Sequence, residues 1–172
     1  MKNTVPVQAA ASSKVRVEPG LHFQIEDFLN DYAHCLDDDQ VESWPAFFTE
    51  DANYQVTTRE NHEAGRPLGI IYCEGRGMME DRVRALREAN IFEAHVYCHT
   101  LSRPDVWQAG PETLQARTNF TIHRTMYNGE AELFATGRYL DTIVRTPSGL
   151  AFKDRRVVLD SRRIDTLLVV PL

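Results

Sequence analysis

The hydrophobic period changes along the chain, from helical spacing in the first half to strict alternation in the second. From residue 21 to residue 36, apolar residues recur every three or four positions with polar residues between them, which predicts an amphipathic helix. Residues 40–48 predict a second short helix, and residues 75–90 predict a third. Three aromatic residues of the second helix are expected in the core: Trp44, Phe47 and Phe48.

The second half of the chain predicts long strands because polar and apolar residues alternate from residue 94 onward. Asn128-Gly129 is typical of a two-residue hairpin turn, since both central positions of that turn need positive φ. The sequence therefore predicts an antiparallel meander. Its strands are expected at 97–108, 113–127, 131–146, 150–160 and 167–170, after two earlier strands at 48–56 and 69–73 that flank a loop at 58–68.

Helices followed by a long antiparallel sheet predict an α+β fold, with the helices packed on one face of the sheet. In the segment 131–146, one set of alternate residues is mainly apolar. The opposite set mixes Phe134, Leu140 and Val144 with polar residues. This mixed face predicts burial against another subunit. Residues 1–20 lack either period and are interpreted as an extended or flexible arm ending at a Pro19-Gly20 turn, and 21–172 as one α+β domain.

Composition and charge exclude several classes of function. The chain has 172 residues, of which 42% are hydrophobic and 26% charged, with a net charge of −6. An acidic balance argues against nucleic-acid and anionic-membrane partners, and no run approaches the ~20 apolar residues needed to span a bilayer. Three cysteines without a CxxC pair suit a reducing compartment, so a cytoplasmic location is expected.

The usual signatures of metal, cluster and nucleotide sites are missing from the sequence. His95 and His99 have a spacing that would suit a metal on a helix, but on a strand they lie roughly 13 Å apart. Asp37-Asp38-Asp39 lacks calcium-loop spacing and is interpreted as a solvated helix end. The four arginines of the third helix predict ion pairing or a protein interface, with Glu80 placed to pair with Arg84.

One set of residues supports an independent enzyme. Tyr54, Asp81 and His99 are of the types that act as general acids and bases in concave α+β sheets. A histidine on a strand, however, is more often a hydrogen-bonded structural residue. A stand-alone isomerase or dehydratase that uses His99 and Asp81 therefore remains an alternative, as does a small-ligand binding module without chemistry.

Several segments together carry a resemblance to a known family. They are residues 47–54 (FFTEDANY), 79–87 (MEDRVRALR), His99 with Ser102, and 154–160 (DRRVVLD). In order and spacing, the chain from about residue 21 to 172 resembles the small (beta) subunit of aromatic-ring-hydroxylating dioxygenases. Residues 86–91 and 165–172 look closest to small subunits that serve aromatic carboxylates, such as terephthalate or a substituted benzoate. A Ser-Arg-x-Arg-His segment common in the family reads 94–99 (AHVYCH) here, so His99 matches and the arginines do not.

The resemblance implies a cone-shaped, nuclear-transport-factor-like fold and a structural role without catalytic, cofactor-binding or metal-binding residues in this chain. It implies a large (alpha) oxygenase subunit as partner, and a hexamer of three large and three small chains in which the small chains form a trimer. The large subunit of such an enzyme carries a Rieske iron-sulfur cluster and a mononuclear non-haem iron, and it oxidises the arene with dioxygen.

Overall fold

The computed structural model describes residues 15–89, 93–162 and 168–172. Its helices are α1 (Pro19–Asp37), α2 (Arg59–Glu63) and α3 (Arg76–Glu88), with a short 3-10 helix at Trp44–Phe47. Its strands are β1 (Phe48–Thr58), β2 (Ile71–Glu74), β3 (His95–Leu101), β4 (Asp105–Gln108), β5 (Thr113–Met126), β6 (Ala131–Thr146) and β7 (Gly149–Leu159).

The helices differ from the predicted ones mainly at their ends. Pro19 occupies the first turn of α1 rather than a turn before it, since the fixed φ of proline suits the first helical position. The predicted helix at 40–48 is reduced to the 3-10 turn, and Phe48 already begins β1. The predicted loop at 58–68 contains α2, which Thr58 caps by accepting a hydrogen bond from the Asn61 amide at 3.3 Å.

The seven strands form one sheet in the order β2-β1-β7-β6-β5-β3, with β4 also paired to β5. The predicted meander is confirmed for β5, β6 and β7, which are antiparallel neighbours. The sheet is nevertheless mixed, because β1 runs parallel to β7. The predicted strand 97–108 is interrupted between β3 and β4, which pair with opposite ends of β5. Residues 168–170 are not a strand, and Leu167 lies outside the described residues.

A β-bulge explains part of the mixed pattern of β6. Ala135 pairs with Ile122 and Leu133 pairs with the next residue of β5, so Phe134 is the extra residue of the bulge. Its ring stacks on Tyr97 at 5.1 Å, which places Phe134 against the core of its own chain, whereas Leu133 is 59% exposed. Phe134 therefore needs no second subunit to cover it.

The core lies between α1 and the face of the sheet that packs against this helix, which we call the inner face. Ile25, Leu29 and Tyr32 of α1 are fully or almost fully buried there. As predicted, Trp44 and Phe48 are fully buried, and Phe47 packs against them with partial exposure. The opposite, outer face of the sheet carries mostly polar and half-buried side chains.

Candidate functional site

A buried ion pair lies on the inner face of the sheet. Arg155 of β7 and Asp141 of β6 are cross-strand neighbours, and both side chains are completely buried. Arg155 Nε lies 3.2 Å from Asp141 Oδ1, and Nη2 donates to Oδ2 at 3.4 Å. The guanidinium carbon also lies 3.9 Å from the ring centroids of Tyr32 and Tyr139, so aromatic faces supply the rest of its environment.

Burial governs the protonation of this pair. It raises the pKa of Asp141 to about 7, although the Arg155 cation opposes the shift. Burial by itself would lower the pKa of Arg155, but Asp141 raises it above its ordinary value, so the guanidinium stays charged. The pKa of Tyr139 is well above its ordinary range, again because of burial. The Tyr139 hydroxyl is therefore not poised to release a proton near neutral pH.

The last residue of the sequence occupies the centre of the inner face. The Tyr32 and Tyr54 hydroxyls donate to the Leu172 carbonyl oxygen at 2.9 and 3.0 Å, and the Leu172 amide donates to Tyr54 at 2.9 Å. Trp44 Nε1 donates to Tyr32 at 2.9 Å. Leu168, Val169, Val170 and Leu172 belong to the hydrophobic core. The chain thus fills the centre of its inner face with its own residues.

His99 of β3 is hydrogen-bonded to the end of α1. Its Nδ1 atom lies 2.5 Å from Asp37 Oδ1, and its backbone amide donates to Asp37 Oδ2 at 2.8 Å. The imidazole is fully buried, and its Nε2 atom has no hydrogen-bond partner among the described residues. Asp38 and Asp39 are exposed, as expected for a solvated helix end, whereas Asp37 departs from that interpretation because its carboxylate contacts His99.

The structure does not bring together the residues of the alternative enzyme. Asp81 is exposed on α3, where it pairs with Arg84 at 3.2 Å in place of the predicted Glu80. Tyr54 is hydrogen-bonded to Leu172, and the acidic partner of His99 is Asp37. Sequence reasoning missed Asp37, because no local pattern connects a helix end with a strand 62 residues later.

The arginines of α3 serve contacts within the chain. Arg87 donates to Glu42 at 2.6 Å and to Asp39 at 3.0 Å, and Arg82 donates to the Leu168 carbonyl at 2.7 Å. Arg76 pairs with Glu50. The ion pairing predicted for this helix is therefore confirmed, with other acidic partners than expected.

Ligand sets for metals are missing from residues 15–89, 93–162 and 168–172, where no three His, Cys, Asp or Glu side chains lie close enough to hold an ion. Cys35, Cys73 and Cys98 are all free thiols. Within the same part of the chain, no helix combines the length and the apolar character needed to cross a bilayer.

Comparison with known proteins decides the family. The family described as "Ring hydroxylating beta subunit" matches residues 32–166. The chain belongs to this family. It is the small (beta) subunit of an aromatic-ring-hydroxylating dioxygenase and thus a component of an oxygenase complex, as its sequence predicts.

Two curated relatives share this assignment. The anthranilate 1,2-dioxygenase small subunit of Burkholderia cepacia is 40% identical over 150 residues, which are 87% of this chain and 93% of the relative. Subunit beta 2 of the terminal oxygenase component of terephthalate 1,2-dioxygenase from Comamonas sp is 42% identical over 149 residues, 87% of this chain and 97% of the relative.

A solved structure confirms the fold of the small subunit. The beta subunit assigned to an aromatic-ring-hydroxylating dioxygenase of Novosphingobium aromaticivorans has a TM-score of 0.81 and 33% identity, covering 89% of this chain and 97% of that chain. The predicted cone-shaped, nuclear-transport-factor-like α+β fold is therefore correct.

Proposed function

We propose that this small subunit is structural, contributes no catalytic residue, and supports large subunits that oxidise an aromatic carboxylate with dioxygen. The filled inner face carries this proposal. The hydroxyls of Tyr32 and Tyr54 donate hydrogen bonds to Leu172, and the His99 imidazole is completely buried against Asp37. A substrate would have to displace part of the core to reach any of these groups.

The partner is a large (alpha) subunit that carries the Rieske cluster and the mononuclear iron, in a cytoplasmic hexamer of three large and three small chains. In that assembly the small subunits hold each large subunit's cluster against the iron site of its neighbour. Family membership supports the large partner, and the three free thiols support a reducing compartment. The relatives named for anthranilate and terephthalate support an aromatic carboxylate as substrate.

The test is to isolate the chain from its native cell extract, weigh the assembly by native mass spectrometry, and record iron content and the visible spectrum. We expect an equimolar complex with a larger iron-sulfur chain. Oxygen uptake by that complex with its reductase is expected with benzoate, anthranilate or terephthalate and not with toluene. An iron-free homo-oligomer without a partner would refute the proposal, and uptake with toluene alone would refute the substrate class.

A further inference from the structure

A cavity of about 460 Å³ opens on the outer face of the sheet, on the opposite side from the filled core. Three of its residues form one row across the sheet, because Tyr72 of β2 pairs with Gln55 of β1, and Gln55 pairs with Arg156 of β7. The segment after α2 lies over this row. The cavity is lined by Gln55, His62, Arg66, Pro67, Tyr72 and Arg156, among others.

The cavity is positively charged on a chain whose net charge is −6. Arg66 and Arg156 both line it, and the described lining residues include no acidic side chain. The pKa of His62 reflects this positive charge: burial lowers it, and Arg156 and Arg138 lower it further. An anion entering here would meet two guanidinium groups and a neutral imidazole.

Arg156 is incompletely satisfied by its own chain. Its Nε atom is buried and has no hydrogen-bond partner among the described residues. Burial raises the pKa of the nearby Asp154 carboxyl and Arg156 opposes the shift, but the two side chains form no hydrogen bond or ion pair within the described part of the chain. Within the described part of the chain, the Arg66 guanidinium makes one long hydrogen bond, 3.5 Å, to Asn61 Oδ1. Buried donors without acceptors are costly, so an incoming oxyanion would gain from satisfying this one.

The walls of the cavity suit a flat apolar ligand as well as an anion. The Tyr72 ring is 53% exposed although its neighbours in β2 are buried, and Pro67 presents a second ring. Planar guanidinium forks bind carboxylates through two parallel hydrogen bonds. The volume lies within the range of small-molecule sites and exceeds the needs of a one-ring acid.

We propose that this cavity binds a small aromatic carboxylate, with its carboxylate on Arg156 and Arg66 and its ring against Tyr72. The choice of an aromatic acid rests on the proposed function, whereas the preference for an oxyanion rests on the cavity itself. The small subunit would then hold a substrate of the oxygenase at a place outside the large subunit.

Saturation-transfer NMR with the full-length chain tests this site, using benzoate, its neutral isostere benzamide, and inorganic phosphate. We expect saturable benzoate binding, much weaker binding of benzamide, and weaker binding of phosphate. Arg156→Gln should raise the apparent Kd of benzoate at least about tenfold, the size expected for the loss of a charge-assisted hydrogen bond. Arg66 is exposed and lies outside the sheet. Arg66→Gln should therefore leave the sheet intact and also weaken benzoate binding.

Arg145→Gln is the matched control, since Arg145 is exposed on β6 and does not line the cavity. No saturable benzoate signal, tighter binding of phosphate than of benzoate, or equal binding by wild type and both cavity variants would overturn the proposal. These outcomes are separate from the test of function: a chain without a large partner can still bind benzoate, and an active complex can contain a small subunit that does not.

Discussion

Asp37 shows how one side chain can join two elements that are distant in sequence. A carboxylate at the carboxyl end of a helix is unfavourable beside the helix dipole, so it needs compensating donors. Both donors come from His99, through its ring and its backbone amide. Asp37 therefore connects the end of α1 to β3, and the imidazole that resembles a catalytic base is fixed in the core.

Asp37→Ala is expected to lower the free energy of unfolding by about 2 kcal/mol, because it leaves a buried imidazole nitrogen and a backbone amide without their acceptor. Asp38→Ala is the matched control, since the adjacent carboxylate is exposed, and its effect should stay within about 0.5 kcal/mol. Urea unfolding of both variants measures the difference. Equal effects would show that the contact does not stabilise the chain.

Asp141 should make stability depend on pH. Its pKa of about 7 in the folded chain exceeds the ordinary value of about 4, so the folded state holds an extra proton between those values. The free energy of unfolding should therefore fall as pH rises from about 4 to about 7. Asp141→Asn should reduce this decrease by an amount on the order of a few kcal/mol, measured by denaturant titration across the window. Identical pH profiles for variant and wild type would contradict the assignment.

Strand β6 illustrates constraints at the scale of an element. Gly137 lies at the centre of the sheet between Phe120 and Leu159 of the neighbouring strands. A Cβ atom at this position would lie 2.8 Å from the Phe120 ring and closer still to the Val158 carbonyl oxygen. Phe120 stacks on Tyr139 at 4.4 Å, so it has little freedom to withdraw. The strand needs glycine here for space.

Gly137→Ala is expected to cost about 1 to 3 kcal/mol of unfolding free energy, through overpacking against a ring and a backbone carbonyl that are held in place. Gly77→Ala in α3 provides the comparison, because nothing lies within 4 Å of its added Cβ, and it should be neutral or stabilising by up to about 1 kcal/mol. Thermal and urea unfolding would show the contrast. A loss in Gly77→Ala as large as that in Gly137→Ala would rule out the steric explanation.

At the scale of the whole molecule, the core is completed by the last residues of the sequence. Leu172 is fully buried and receives hydrogen bonds from Tyr32 and Tyr54. The two tyrosines come from α1 and β1, so this one residue joins a helix and a strand. The filled inner face leaves the outer face and the edges of the sheet to meet partners and ligands.

Leu172→Ala should lower the free energy of unfolding by about 2 to 5 kcal/mol, because it opens a cavity at the centre of the core. Leu133→Ala is the same substitution at a side chain that is 59% exposed, and its effect should remain within about 0.5 kcal/mol. Chemical denaturation monitored by circular dichroism compares the two. Similar losses would mean that Leu172 does not complete the core.

Local patterns were sufficient for much of this fold. The spacing of Ile25, Leu29 and Tyr32 predicts α1 and its buried face, and Asn128-Gly129 predicts the hairpin between β5 and β6. Gly129 adopts a positive φ of 87° but Asn128 does not, and residues 127–130 separate the two strands, so the hairpin is confirmed whereas its predicted two-residue turn is wrong. These features depend on residues only a few positions apart, which is why periodicity and turn chemistry reveal them.

Features that depend on distant contacts could not be predicted. The parallel pairing of β1 with β7 needs the whole meander to be in place, and the bulge at Phe134 is set by its register with β5. The outer cavity is similarly hidden, because Tyr72, Gln55 and Arg156 come from three strands. Its arginines belong to segments whose local sequence shows nothing unusual.

The parallel pairing of β1 with β7 also affects the order in which the fold can form. Tyr32 and its partner Leu172 are 140 positions apart, and β1 must wait for β7 before it can be joined to the rest of the sheet. Contacts of such long range are slow to form. During folding, α1 and β1 therefore acquire Leu172 and β7 as partners only after the intervening hairpins have formed.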